Sequence, residues 1–247
     1  MSCTLALQLK PSHWPAGGRW RITRGMLRLS AVIFDLDGTL LDTLDAIAAA
    51  ANHVLEQRGR PARQAPSYLP HVGYGLNHLL EKTLETTNPA ELAPAREMFT
   101  EFYAANEGPL TRVYPGIAHT LEPLQEAGIR LGVLSNKPQA ATARNVAACL
   151  PHIRFDLVRG QREGAAVKPD PEPALEMARH WGLAPSAVML VGDSEVDMQT
   201  ARRAGMVPIG VSWGFRSPAL LREEGAQQVI DDPEQLLELL ELPARGR

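Results

Sequence analysis

The sequence has 247 residues, of which 45% are hydrophobic and 21% are charged, and its formal net charge is −3. This composition is ordinary for a globular protein, and the slight negative charge provides no general attraction for nucleic acid. No apolar run approaches the roughly 18 residues that a membrane-spanning helix needs. The two cysteines, Cys3 and Cys149, match no metal-binding or redox spacing, so we expect reduced thiols in a cytoplasmic protein that binds neither nucleic acid nor membranes.

Residues 1–25 lack acidic side chains and contain several prolines and glycines. Their short apolar stretch, residues 4–9, has no positive residue before it and is a poor signal peptide. We expect this segment to be a disordered tail, or translation to start at Met26. An organellar transit peptide is the alternative.

From about residue 27 onward, strand and helix patterns alternate. Continuous apolar runs are typical of strands buried on both faces of a parallel sheet, and they occur at residues 31–34, 131–134, 188–191 and 207–211, with a weaker run at 155–158. Helical spacing occurs between and after them, at residues 117–124, 140–150, 174–181, 198–204 and 233–240. The alternation predicts an α/β core with a doubly wound, Rossmann-like parallel sheet.

Residues 44–110 interrupt this alternation. Apolar residues there recur at helical spacing over residues 44–55, 76–84 and 91–105, and no strand-like run appears. We therefore expect an all-helical insert between the first two core strands. The predicted division is a helical cap at residues 44–110 and a catalytic core formed by residues 26–43 and 111–247.

The strongest chemical signal is the segment Asp-Leu-Asp-Gly-Thr at residues 35–39, directly after the first predicted strand. Ligands of open α/β sheets bind at the carboxyl ends of strands, and alternation along an extended segment directs Asp35 and Asp37 to the same side. Two such carboxylates need a cation or a shared proton. Gly38 permits a sharp turn and leaves backbone N–H groups for an anion. The alternative is an Asp-Gly turn with solvated acids.

A second acidic pair follows another predicted strand. Asp193 stands at the strand's end, and Asp197 lies four residues later, near the start of the next predicted helix. Carboxylates are the ligands that Mg²⁺ prefers, usually together with phosphate and water. The alternative interpretation is helix capping by Asp193 or Ser194.

Two weaker signals complete the set. Ser135 and Asn136 end the second core strand, where a hydroxyl and an amide are suited to donate to phosphate oxygens; a turn with a helix cap is the alternative. Lys168 stands in a proline-rich, turn-like stretch, where a lysine is usually solvated.

Taken together, Asp35, Ser135, Lys168 and Asp193 occur in the order of the four motifs of the haloacid dehalogenase superfamily. The sequence resembles that family over about residues 27–240. It is most similar to the phosphoglycolate phosphatase group, at residues 34–43 (FDLDGTLLDT), 72–75 (VGYG), 114–116 (YPG), 135–137 (SNK), 168–169 (KP) and 192–194 (GDS). The resemblance implies a Rossmann-like core with a mobile helical cap of the C1 type.

The resemblance also implies the chemistry. Asp35 attacks phosphorus and becomes an aspartyl-phosphate, while Asp37 is the general acid and then the general base. Mg²⁺ is held by the Asp35 and Asp193 carboxylates and the Asp37 backbone carbonyl, with support from Asp197. The residues expected to bind the phosphoryl group are Gly38, Thr39, Ser135, Asn136 and Lys168.

Substrate choice is expected to come from the cap, since these motifs contact only phosphate. We expect Gly73 and Tyr74 to bind the substrate, because Tyr74 lies between Gly73 and Gly75 on a predicted cap loop and two glycines permit close approach to a small anion. His71 and His78 are nearby candidate donors or packing residues, and this loop has no evident arginine for a substrate carboxylate.

We expect a monomer or homodimer that acts on a small phosphate ester, with 2-phosphoglycolate as the leading candidate. The alternatives are a phosphatase for sugar phosphates or pyrophosphate, a phosphomutase, or a non-catalytic binding protein on the same fold. A dehalogenase is disfavoured because it lacks the acid at the position of Asp37.

Overall fold

The computed structural model describes residues 29–242. The strands within this range are β1 (Ala31–Phe34), β2 (Leu41–Asp42), β3 (Arg112–Val113), β4 (Arg130–Pro138), β5 (Leu157–Gln161), β6 (Val188–Gly192), β7 (Val207–Val211) and β8 (Gln228–Ile230). Six of them form a parallel sheet in the order β5-β4-β1-β6-β7-β8. This topology confirms the predicted doubly wound α/β fold.

The helices of the described residues connect and cover these strands. They are α1 (Leu44–Glu56), α2 (Leu76–Leu84), α3 (Pro89–Leu110), α4 (Ile117–Glu126), α5 (Gln139–Cys149), α6 (Glu172–His180), α7 (Glu195–Ala204), α8 (Pro218–Glu223) and α9 (Gln235–Leu239). Short 3-10 helices occupy Ala65–His71 and Pro185–Ala187. No helix between residues 29 and 242 is long and apolar enough to cross a membrane.

The central strand β1 is buried on both faces of the sheet. Ala31 and Ile33 belong to one hydrophobic cluster, which includes side chains of α6 and α7. Val32 and Phe34 belong to another, which includes side chains of α4 and α9. All four side chains are fully buried. A strand covered on both faces needs apolar residues at every position, which explains the continuous run in the sequence.

The residues from α1 to α3 are helical or irregular and share a hydrophobic cluster of their own. The chain enters this helical segment through β2 and leaves it through β3. These two strands pair in antiparallel fashion, with Leu41 opposite Val113 and Asp42 opposite Arg112. Both connections to the sheet therefore run side by side.

Several boundaries differ from the sequence prediction. Strand β4 continues to Pro138, four residues beyond the apolar run, and β5 begins at Leu157 instead of residue 155. The short elements β2, β3, β8 and α8 were not predicted, because segments of two to six residues carry too little hydrophobic periodicity. The predicted tail at residues 1–25 lies outside the described residues.

Candidate active site

The sheet order brings three of the predicted motifs together. Strand β1 lies between β4 and β6, so the carboxyl ends of all three strands meet at one edge. Asp35 follows β1, Ser135 lies near the end of β4, and Asp193 follows β6. The fourth motif residue, Lys168, enters from the connection between β5 and α6. This convergence of parallel strand ends is where open α/β sheets bind ligands.

Asp35 and Lys168 form a buried ion pair at the centre of the site. Lys168 Nζ lies 2.8 Å from Asp35 Oδ1 and 2.7 Å from Asp197 Oδ1. Asp35 Oδ1 also accepts a hydrogen bond of 2.7 Å from the Leu36 N–H. Burial by itself lowers the pKa of Lys168, but the Asp197 and Asp35 carboxylates outweigh it and raise that pKa above its ordinary value. Lys168 is therefore a permanent positive charge between two carboxylates.

The two carboxylates that contact this lysine belong to a cluster of three buried carboxylates. Oxygen atoms of Asp35, Asp193 and Asp197 all lie within 4.8 Å of one another. Burial, with the neighbouring Asp197 charge, raises the pKa of Asp35 to about 7 although Lys168 opposes the shift. Burial and the charges of Asp197 and Asp35 also raise the pKa of Asp193. The cluster thus contains more negative charge than Lys168 balances, and its hard oxygen donors suit a divalent cation such as Mg²⁺.

Asp37 has a separate set of partners. Its Oδ1 accepts hydrogen bonds from Thr43 Oγ1 at 2.7 Å and from Lys137 Nζ at 2.8 Å. Lys137 Nζ also donates to the Tyr103 hydroxyl at 2.6 Å. Although burial by itself lowers the pKa of Lys137, Asp37 and Tyr103 raise it above its ordinary value. Asp35 and Asp37, two residues apart, are therefore each paired with a lysine of their own.

Both acids line a cleft between the core and the helical segment. The core contributes polar side chains, including Asp35, Asp37 and Ser135. The helical segment contributes mainly apolar ones: Ile47, Val72, Leu76, Leu79 and Phe99. Lys137 and Arg144 are the lysine and arginine side chains among the described lining residues. The cleft therefore has a charged floor and a largely apolar wall.

A loop of the helical segment closes one side of this cleft. We call residues 69–75 the cap loop. Arg216, after β7, donates from Nη1 to the Leu69 carbonyl at 2.6 Å and from Nη2 to the Val72 carbonyl at 3.0 Å. Its Nε donates to Glu195 Oε2 at 3.0 Å, and Glu195 also accepts a hydrogen bond from the Tyr74 hydroxyl. Core side chains thus hold the cap loop mainly by its backbone.

A family model described as haloacid dehalogenase-like hydrolase matches residues 32–211. The chain belongs to the haloacid dehalogenase-like hydrolases. This hydrolase is 35% identical over 225 residues to a phosphoglycolate phosphatase of Cupriavidus necator, covering 89% of this chain and 96% of that protein. It is 31% identical over 216 residues to the phosphoglycolate phosphatase of Haemophilus influenzae strain Rd, covering 84% of this chain and 96% of the relative.

A solved structure agrees with these sequence relatives. The crystal structure of a predicted phosphoglycolate phosphatase from Haemophilus somnus 129pt superposes on this hydrolase with a TM-score of 0.79 at 27% identity. The superposition covers 87% of this chain and 99% of that one. The family assignment made from the motifs is therefore confirmed.

Gly38 and Thr39, which we expected to bind phosphate, support Asp193 in the structure of the hydrolase. The Thr39 hydroxyl donates to Asp193 Oδ1 at 3.3 Å. The N–H of Gly38 donates to the Leu41 carbonyl at 2.8 Å, so it is not free for an anion. Gly38 has φ +82°, and a Cβ there would lie 2.3 Å from Asp193 Oδ2. Glycine is needed at this position because the backbone passes so close to the carboxylate.

Asn136 also has a different role from the one expected for its side chain. Its Nδ2 donates to the Gly73 carbonyl at 2.9 Å and to the Lys168 carbonyl at 2.7 Å, and its Oδ1 accepts from the Lys168 N–H at 2.9 Å. A carboxamide has two N–H donors, so both are used. The Asn136 side chain therefore joins the cap loop to the Lys168 segment and has no donor left for phosphate.

Asp197 contacts both the start of helix α7, where Ser194 is the capping residue as one interpretation of the sequence expected, and Lys168. Its Oδ2 accepts hydrogen bonds from the N–H and hydroxyl of Ser194, at 3.1 and 2.5 Å, and so caps helix α7. Its Oδ1 accepts from Lys168. One carboxylate therefore fixes the helix start and orients the lysine that contacts Asp35.

The cap-loop residues divide between the cleft and the surface. Gly73 and His71 line the cleft, whereas Tyr74 is 37% exposed and is not among the described lining residues. Its ring lies 4.8 Å from that of His78. In this structure the Tyr74 hydroxyl donates to Glu195, and a contact of Tyr74 with substrate stays a prediction.

Sequence reasoning did not assign a role to Lys137, Thr43, Tyr103 or Arg216. Lys137 directly follows Ser135 and Asn136. It lies in the site because β4 extends to Pro138, and the sequence pattern did not predict that extension. Arg216 has no motif around it, and only the tertiary structure brings it to the cap loop.

Proposed function

We propose that this hydrolase converts 2-phosphoglycolate and water into glycolate and phosphate through an aspartyl-phosphate on Asp35. The observation that carries the proposal is that Asp35 and Asp37 line one cleft but are paired with different lysines. Such an arrangement gives two chemically identical side chains separate environments and therefore separate tasks. The names of the two bacterial relatives support the choice of substrate.

In the first step, an Asp35 carboxylate oxygen attacks phosphorus and the bond from phosphorus to the ester oxygen breaks. The proton that converts the departing alkoxide into glycolate comes from Asp37. Lys168 holds Asp35 Oδ1 in place at 2.8 Å, and its positive charge stabilises the negative charge on the transferring phosphoryl group.

In the second step, Asp37 takes a proton from a water molecule, and the water oxygen attacks the phosphorus of the aspartyl-phosphate. The bond from phosphorus to Asp35 breaks, so phosphate leaves and both carboxyl groups return to their starting states. Thr43 and Lys137 hold Asp37 Oδ1 throughout. Ser135, which is buried and lines the cleft, is the proposed hydroxyl contact for the phosphoryl oxygens.

We further propose Mg²⁺ as the cofactor, held by the Asp35 and Asp193 carboxylates and the Asp37 backbone carbonyl, with Asp197 in support. When bound, the ion supplies positive charge that neutralises the acidic cluster and the phosphoryl group. The raised pKa values of Asp35 and Asp193 support this, because a cation favours the ionised form that a nucleophile needs. We place the protein in the cytoplasm, where thiols such as the free Cys149 remain reduced.

The test is a substrate panel measured with Mg²⁺, with Ca²⁺ and with chelator. We expect 2-phosphoglycolate to give the highest kcat/KM with Mg²⁺, ahead of hexose phosphates and pyrophosphate. Ca²⁺ should substitute poorly, because it prefers longer bonds and more ligands. Full activity in chelator contradicts the cofactor, and a higher kcat/KM for hexose phosphates or pyrophosphate contradicts the substrate while leaving the reaction mechanism intact.

A further inference from the structure

We infer that Lys137 binds the carboxylate of the substrate and thereby determines the preference for small carboxylated phosphate esters. This inference rests on the proposed function, since it assigns a residue to one part of that substrate. The cap loop offers no partner for the substrate carboxylate among its charged side chains, because residues 69–75 contain no arginine or lysine.

Lys137 lies at the leaving-group end of the cleft. Asp37, the proposed acid, lies within about 2.6 to 3.2 Å of the ester oxygen when it transfers a proton. Lys137 Nζ lies 2.8 Å from Asp37 Oδ1, so the ammonium and the ester oxygen are neighbours of the same carboxyl group. Their separation is at most about 6 Å if the ester oxygen contacts Oδ1, and at most about 8 Å if it contacts Oδ2.

The geometry of 2-phosphoglycolate matches this separation. Three covalent bonds connect its ester oxygen to each carboxylate oxygen, a span of about 3 Å. A charge-assisted hydrogen bond from an ammonium adds about 2.8 Å. The carboxylate can therefore reach Lys137 while the ester oxygen remains beside Asp37.

Lys137 is also prepared for an anion. An ammonium has three donors, and in the described residues Lys137 Nζ donates to Asp37 and to the Tyr103 hydroxyl only. The residue is 8% exposed and lines the cleft, so its charge is little screened by water. Tyr103, from α3, fixes the ammonium over its ring at 4.4 Å from the ring centroid. The ammonium is thus held in place before substrate arrives.

The other cationic candidates near the cleft are less suitable. Arg144 donates to Glu107 at 2.8 Å, much as Lys137 donates to Asp37, but its side chain is 41% exposed, so water screens its charge. Burial and neighbouring cations lower the pKa of His71, which favours its neutral form. Lys168 is occupied by Asp35 and Asp197 at the phosphoryl end.

The experiment compares two substrates that differ only in the group under question. These are 2-phosphoglycolate and 2-hydroxyethyl phosphate, in which a hydroxymethyl group replaces the carboxylate. The specificity ratio is kcat/KM for the first divided by kcat/KM for the second. It is measured for the wild type, Lys137→Met and the matched control Arg144→Gln. Lys137→Gln, which keeps N–H donors for Asp37 and Tyr103, is included in case the methionine variant does not fold.

We expect the ratio to fall about 10- to 100-fold in both Lys137 variants, the range for losing a hydrogen bond between charged groups. Arg144→Gln should keep the ratio within about threefold of wild type, since that guanidinium is screened. Equal losses for both substrates at Lys137 would show that the lysine only positions Asp37, and this overturns the inference. A fall of the ratio in Arg144→Gln alone also overturns it.

A binding measurement gives a readout independent of turnover. Calorimetry compares 3-phosphonopropionate, a non-hydrolysable analogue of 2-phosphoglycolate, with propylphosphonate, which lacks the carboxylate. The wild type should prefer the carboxylated analogue, and Lys137→Gln should lose that preference. If the Lys137→Gln variant keeps it, the inference is wrong. If the wild type itself shows no preference for 2-phosphoglycolate in the kinetic panel, the proposed function has failed, and the inference fails with it.

Discussion

The core side and the cap side of the cleft are built in different ways. On the core side, buried charged side chains contact one another, as in the group formed by Asp35, Lys168 and Asp197. On the cap side, the cleft wall is largely apolar, and Arg216 and Asn136 hold the cap loop by its backbone carbonyls. The charged groups of the core side are therefore held by one another, whereas the cap loop depends on contacts across the interface.

This difference has a consequence for substitutions. A buried ion pair that loses one partner leaves an uncompensated charge, which is strongly destabilising. A substitution that removes a cap-loop contact releases part of the loop. Its cost in stability is smaller, because the lost hydrogen bonds have partial access to water. Core substitutions should thus lower kcat for every substrate, and cap-loop substitutions should mainly raise KM.

The largest effect is expected for Lys168→Met. It removes the ammonium between Asp35 and Asp197, so kcat should fall about 10²- to 10³-fold, the cost of removing a preorganised charge stabiliser. The loss should be equal for carboxylated and uncharged esters, because Lys168 lies at the phosphoryl end. Steady-state kinetics on both substrate types measure this, with the exposed Lys82→Met as the matched control. A variant that keeps more than a tenth of wild-type kcat contradicts the role given to Lys168.

An intermediate effect is expected for Arg216→Ala. The variant loses the hydrogen bonds to the Leu69 and Val72 carbonyls and to Glu195. We expect KM to rise about tenfold, as the loss of charge-assisted hydrogen bonds suggests, with kcat changed by less than about threefold. Amide hydrogen exchange in residues 69–75 should become faster.

The matched control for this variant is Arg222→Ala, an exposed arginine on α8. It should alter neither KM nor the exchange of the cap loop. If Arg216→Ala lowers kcat while KM and exchange stay at wild-type values, the division between core and cap does not hold.

The smallest effect is expected for Tyr74→Phe. Its hydroxyl contacts Glu195, but the side chain is 37% exposed, and exposed polar contacts contribute little to stability. We expect kcat/KM to change by less than about threefold, whereas Glu195→Ala, which also removes the partner of Arg216, should give a larger rise in KM. A change above tenfold in Tyr74→Phe would contradict this and indicate that the tyrosine hydroxyl contacts substrate.

The core side of the cleft was easier to predict from the sequence than the cap side. The fold and the core acids were predictable, because β1 is a continuous apolar run that ends directly at Asp35, and parallel strand ends meet at one edge. These are local patterns joined by a general rule of topology. The short strands β2 and β3 were not predictable, since two residues carry no periodicity.

The interface contacts were not predictable for a different reason. Arg216 meets the Val72 carbonyl 144 positions away in sequence, through a backbone atom that every residue possesses. The contact of Gly38 with the Asp193 carboxylate was not predictable either, because only the pairing of β1 with β6 brings these two residues together. Lys137 was within a recognised motif, but its pairing with Asp37 depends on how far β4 extends.

The central claim is that Asp35 is the nucleophile and Asp37 the acid and base. The most direct test gives the Asp37→Asn variant p-nitrophenyl phosphate, whose acidic leaving group hardly needs a proton. Asp35 should still be phosphorylated, but hydrolysis should be slowed about 10²- to 10⁴-fold without the base. We predict a burst of p-nitrophenol approaching one equivalent per active site, with phosphate retained on Asp35 and located by mass spectrometry of peptides. A variant that binds Mg²⁺ yet gives neither burst nor trapped phosphate would contradict this division of roles.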